Sequence, residues 1–264
     1  MIGPRIVLAL LLLSPLPAFA ANTTDQPLEI TADSALEWNR DQHQYVARKN
    51  AKAVQGDFSV SADTLTAAYD DSKGGTDITV LTAEGNVTIT SGTSTATGNK
   101  AVYDVTTGKA VLTGTALKLS DKDLSVTAKE KFEYFSNEGK VIAHGRPLIT
   151  SKDDTLEADQ ATAWLAPKGS PTGGLHRAEA TGNVIIKTPS QMATGDKATY
   201  DATTSMAELI GHAKVTSGSD TLEGERAEVN LKTKVSRMTG ADGKGKVKGV
   251  FYPANRRPKP AGSN

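Results

Sequence analysis

Cysteine is absent from the 264 residues, which excludes a disulfide framework, a thiol nucleophile and any Cys-ligated metal site. An excess of charge is absent too, with 30 basic against 30 acidic residues. That balance disfavours nucleic acid as the main partner, because such affinity grows with the phosphates neutralised. Aromatics are few, at 5%, and the four histidines (His43, His144, His176, His212) share no metal-ligand spacing. No Gly-x-Ser-x-Gly elbow occurs. The acidic pairs Asp70-Asp71 and Asp153-Asp154 fall in turn clusters, where Asp serves the backbone. The glycines from Gly240 to Gly245 lack the following helix that a nucleotide loop needs. What remains is rich in Gly, Ala, Thr and small β-branched residues, apolar at 38% and charged at 23%, which argues against wholesale disorder.

Long apolar runs are confined to the start. Arg5 precedes the apolar stretch Ile6 to Leu13, followed by Ser14-Pro15-Leu16-Pro17 and Ala18-Phe19-Ala20. This reads as a signal peptide over residues 1–20 with an A-x-A cleavage site, its apolar core too short to span a bilayer. Ala21 stands where a lipoprotein would need cysteine. No later segment approaches eighteen apolar residues, so a soluble mature chain in the periplasm is expected.

From residue 28 onward the pattern is alternation, the period of a half-buried strand. Phe58-x-Val60-x-Ala62, Leu65-x-Ala67-x-Tyr69, Val87-x-Ile89 and Leu124-x-Val126-x-Ala128 show it, as do Phe132-x-Tyr134 and Val184-x-Ile186. Turn clusters such as Thr106-Thr107-Gly108 and Ser136-Asn137-Glu138-Gly139 separate the runs. Helical periodicity is nearly absent; the best helix candidate, Ala35–Asn39, is very short.

A repeat underlies the alternation. Gly85-Asn86-Val87-Thr88-Ile89 returns as Gly182-Asn183-Val184-Ile185-Ile186, and Ala96-Thr97-Gly98-Asn99-Lys100-Ala101-Val102-Tyr103-Asp104 returns as Ala193-Thr194-Gly195-Asp196-Lys197-Ala198-Thr199-Tyr200-Asp201, both at a shift of 97 positions. Within each half, small-x-aromatic anchors at Tyr69, Tyr103, Tyr134, Trp164 and Tyr200 recur every 30 to 36 residues, enough for about four short strands. Stacked units of this kind bury a continuous core that no single unit buries alone. Gly85, Gly98 and Gly114 are placed for a positive φ or a close backbone approach.

The order A-x-G-N-V-x-I, G-x-K-A-x-Y-D, A-x-L-x-G resembles the OstA-like family of lipopolysaccharide transport proteins over roughly residues 27 to 232. The resemblance implies an all-β, elongated twisted β-jellyroll of repeated antiparallel turns, with open ends and an apolar interior. It also implies a non-catalytic role without cofactor, binding lipopolysaccharide through its lipid A portion. The partners implied are an inner-membrane LptC-like adaptor, an outer-membrane LptD-like translocon and further copies joined head to tail. Whether the 97-residue duplication lengthens one roll or makes two tandem domains stays open.

Alternation places every second side chain inward, and Val60, Leu65, Val87, Ile89, Leu112, Leu117, Val126, Phe132, Val184 and Ile186 are the expected lipid-binding lining. The plain alternative is that inward Val and Ile are simply core. Small residues such as Ala62, Ala67, Ala101, Ala143 and Ala198 leave room for acyl chains. Leu28 and Ile30 near one terminus, with Val247 and Val250 near the other, are candidate partner edges for strand addition. Residues 233–252 form a basic segment with room for a terminal strand, and 253–264 a flexible tail. A carbohydrate-active β-helix enzyme and a structural adhesion repeat are the competing readings. The first is weakened because its rungs are shorter than the anchor spacing.

Overall fold

The computed structural model describes residues 29–72, 77–166, 174–243 and 245–252. The expected signal peptide, Leu28 and the tail from Pro253 lie outside them. Twenty strands and one short 3-10 helix (Ala241–Gly243) make up the described chain. The first six strands are β1 (Glu29–Thr31), β2 (Ala35–Asn39), β3 (Gln44–Gln55), β4 (Phe58–Asp70), β5 (Asp77–Ser91) and β6 (Ser94–Asp104). Eight short ones follow: β7 (Lys109–Thr113), β8 (Leu117–Asp121), β9 (Leu124–Ala128), β10 (Lys131–Phe135), β11 (Lys140–His144), β12 (Leu148–Ser151), β13 (Asp154–Glu157) and β14 (Gln160–Leu165). The last six are β15 (Leu175–Lys187), β16 (Met192–Asp201), β17 (Met206–Ser217), β18 (Asp220–Asn230), β19 (Val235–Thr239) and β20 (Lys248–Val250). The stretch Ala35–Asn39, the best helix candidate in the sequence, is strand β2.

All described pairings are antiparallel, and the eight long strands each serve two layers. In β5, residues up to Glu84 pair in one layer and residues from Val87 in the other, with a register shift between. The same break occurs at Arg48/Ala51, Thr181/Val184, Thr194/Lys197 and Ile210/Ala213. Layer one therefore runs β2, β3, β4, β5, β6, β7, β10, β11, β14, β15, β16, β17, β18, β19. Layer two runs β1, β3, β4, β5, β6, β8, β9, β12, β13, β15, β16, β17, β18, β20. The short strands β7 to β14 are long strands interrupted at the same corner. Pairing passes unbroken from one repeat into the other, so the duplication lengthens a single roll.

The corner explains the repeated Gly-Asn. Turning a strand from one layer into the other needs an extra residue and a left-handed backbone, which a β-bulge supplies. Gly85 and Asn86 have φ of 77° and 49°, and Gly182 and Asn183 have 76° and 48°. A side chain at either glycine would land on the carboxylate of Asp63 or Asp159. The same aspartates accept hydrogen bonds from Asn86 Nδ2 (3.0 Å) and Asn183 Nδ2 (2.8 Å). Gly98 and Gly114 have no such backbone; they are held to glycine by close approach of Thr113 O and Asn99 N.

Candidate functional site: the interior between the layers

Because corners join the layers along one side only, each layer presents an inner face to the other, and the hairpin turns form two opposite lips. No described strand pairing joins lip to lip. On layer one, an inner row crosses all fourteen strands: Leu36, Ala47, Leu65, Ala83, Ala101, Leu112, Phe132 and onward through Ala143, Ala161, Ala180, Ala198, Leu209, Ala227 and Met238. On layer two the matching row runs from Ile30 through Ala53, Val60, Ile89, Ala96, Leu119, Val126 and Ile149, then Leu156, Ile186, Ala193, Val215 and Leu222. Layer one is largely paved with alanine; layer two carries mostly Val, Ile and Leu.

All ten lining residues expected from the sequence face this interior. Val60, Ile89, Val126 and Ile186 stand in the layer-two row, and Leu65, Leu112 and Phe132 in the layer-one row. Val87, Leu117 and Val184 lie next to the corners and are almost fully buried. Seven belong to the buried core itself, while Val60, Leu65 and Ile89 pack against it partly exposed. Ala161, Ala163, Ala178 and Ala180 belong to the same surface and were not singled out from the sequence. The signal was there, as Ala-x-Ala in β14 and β15.

Those alanines leave space. A cavity of about 70 Å³ lies between the layers, lined by Phe132, Ala143, Ala161, Ala180 and Ala198 on one side and by Leu119, Val126, Ile149 and Leu156 on the other. That is about half the ~150 Å³ known to accept a benzene ring. As it stands, the space is too small for a whole acyl chain.

The ends are open. Leu36 and Trp38 stand on inner rows of the first strand of layer one, yet are 61% and 52% exposed. Trp38 stacks on Tyr45 at 5.8 Å and donates its indole N–H to Tyr69 Oη at 2.8 Å. At the other end Phe251 is 54% exposed. Of the expected partner edges, Ile30 lies on the outermost strand β1 and Val250 on the outermost β20, while Val247 precedes β20 and is exposed. The small-x-aromatic anchors divide: Tyr103, Tyr134 and Tyr200 face inward, whereas Trp164 pairs with Lys140 and Arg177 and faces out, under the Arg177 guanidinium.

On the outer face the polar groups pair with one another. Glu133, buried, meets Lys109 Nζ (2.9 Å), Lys131 Nζ (3.2 Å) and His144 Nε2 (2.7 Å). Burial pushes its carboxyl up, but these hydrogen bonds outweigh burial and hold it at about 2. His43 and His212 likewise face Asp71 and Asp196. Among the described residues no group of three or more His, Asp or Glu is placed to hold a metal ion.

A two-layered antiparallel jellyroll, apolar within and with edge strands free on one side among the described residues, defines a class of elongated β proteins. The family described as LptA/(LptD N-terminal domain) LPS transport protein matches residues 29–140 and again 125–235, the two repeats in turn. The chain belongs to this family and acts in lipopolysaccharide transport, as the OstA-like resemblance implied. It is also similar to a solved structure of LptH, the LptA-homologous periplasmic component of the conserved lipopolysaccharide transport device from Pseudomonas aeruginosa. Identity is 19%, coverage 49% of this chain and 95% of that one, and the TM-score 0.42. No curated protein sequence matches the chain.

Proposed function

We propose that the chain is a non-catalytic periplasmic carrier that moves lipopolysaccharide by holding its lipid A acyl chains between the two layers. The observation that carries this reading is the pair of apolar rows, which run without interruption over all fourteen strand positions of layer one and over thirteen of layer two, where Gly249 takes the last. Each buried methylene is worth about 0.8 kcal/mol, so one chain of some fourteen carbons represents on the order of 10 kcal/mol. Passage through water at that cost is prohibitively slow. Along a continuous row each apolar contact is exchanged for another of similar strength, and the carrier needs no chemistry of its own. The unjoined lips support the entry route, since the layers separate there without breaking a strand pair.

The edge strands β1 and β20, each paired on one side only, support end-to-end union with further copies, with an LptC-like adaptor on the inner membrane and with an LptD-like translocon in the outer one. The test is photo-crosslinking from Val126, Phe132 and Ile186 in the periplasm, followed by mass spectrometry of the adducts. Lipopolysaccharide is expected on all three. Absence of lipid from all three, with cross-linking from an outer-face control equally silent, removes the carrier reading.

A further inference from the structure

On layer two the apolar row ends short of the lip, where the inner side turns largely polar. Outward from Ile89, Ala96, Leu119, Val126, Ile149 and Leu156, the next inner row reads Ser91, Ser94, Asp121, Leu124, Ser151 and Asp154, each paired in register with its neighbour. Polar side chains pointing inward at this depth are costly for a purely hydrocarbon cargo. Ser94 is 1% and Asp121 2% exposed, the most deeply buried polar residues described. Asp121 accepts a hydrogen bond from Thr93 Oγ1. Ser94 Oγ has no hydrogen-bond partner among the described residues. A buried hydroxyl without a partner carries its desolvation cost uncompensated, so the site is incomplete as it stands.

We propose that Ser94 and Asp121 form a site for hydroxyl or amide N–H donors at the sugar–acyl junction of a glycolipid whose chains lie against the adjoining apolar row. The proposal rests on the carrier reading above and adds orientation to it: chains toward the corners, sugar at the lip of layer two. A carboxylate beside a hydroxyl accepts donors rather than anions. Ser151 and Asp154 extend the same border along the roll, so the polar junction finds similar partners as it advances.

The experiment uses the full chain and its Ser94→Ala and Asp121→Asn variants against two probes, purified lipopolysaccharide and a fluorescent fatty acid without sugar. Both variants are expected to bind the fatty acid like the parent and lipopolysaccharide about fivefold more weakly or worse, the weight of one hydrogen bond. Lipopolysaccharide binding within about twofold of the parent in both variants overturns the proposal while leaving the carrier reading intact. A parent chain that binds neither probe overturns both. Should a variant fold poorly, photo-crosslinkers at Ser151 and Ile149 in the otherwise unchanged chain decide the matter. Sugar adducts from position 151 with acyl adducts from 149 support the orientation, and acyl adducts from both refute it.

Discussion

Glu133 shows how a single side chain on the outer face ties three strands together. It stands on β10, while Lys109 is on β7 and His144 on β11, so the ion-pair cluster bridges neighbouring strands. Its folded-state carboxyl lies at about 2, below the ordinary 4.5, so the stabilisation is complete above about pH 4.5 and is lost as pH falls toward 2. Urea unfolding between pH 5 and pH 2 is expected to show a loss on the order of 3 kcal/mol from this group. In Glu133→Gln that portion of the loss should vanish, with lower stability at pH 7. Other residue-scale features were legible in advance. Gly85 and Gly182 recur because only a left-handed corner fits there. The Glu133 cluster was not legible, because its members are brought together by cross-strand register rather than by spacing in the chain.

At the scale of elements, the layer-one alanines set how much room the interior has. Leu65 in β4 and Ala161 in β14 hold comparable positions in the first and second halves, separated by 96 residues, and the cavity lies beside the alanine. Ala161→Leu is expected to fill that space, moving the unfolding midpoint by the equivalent of about 1 kcal/mol or less while lowering lipopolysaccharide capture severalfold. Denaturant titration and a lipid-capture assay read the two effects separately. Alternation revealed strands and inward positions well, since Val87 and Ile89 or Val184 and Ile186 are spaced by two. It did not reveal that one strand serves two layers. The inner positions step from Ala83 to Val87 in β5 but from Ala62 to Leu65 in β4, so bulges switch parity in alternate strands and a fixed period loses track. Trp164 shares the spacing of the inward tyrosines yet faces out.

Across the whole molecule, the question is what the two free ends do. Edge strands invite pairing with another chain, and β1 and β20 carry no Pro within their strands to prevent it. Ile30→Pro and Val250→Pro, made singly, are each expected to abolish end-to-end association in light scattering while leaving the unfolding midpoint within about 1 kcal/mol of the parent. Association that persists in both variants removes strand addition as the means of union.

The corner makes length and cross-section independent quantities. Each added bent strand contributes one spacing of about 4.8 Å to both layers at once and leaves the interior's width alone, so fourteen positions give roughly 60 Å of track. Duplicating a unit of a few strands thus extends the molecule's reach in fixed increments, much as a ruler grows by whole divisions. A chain with two such repeats therefore carries a longer unbroken apolar row than one repeat alone would.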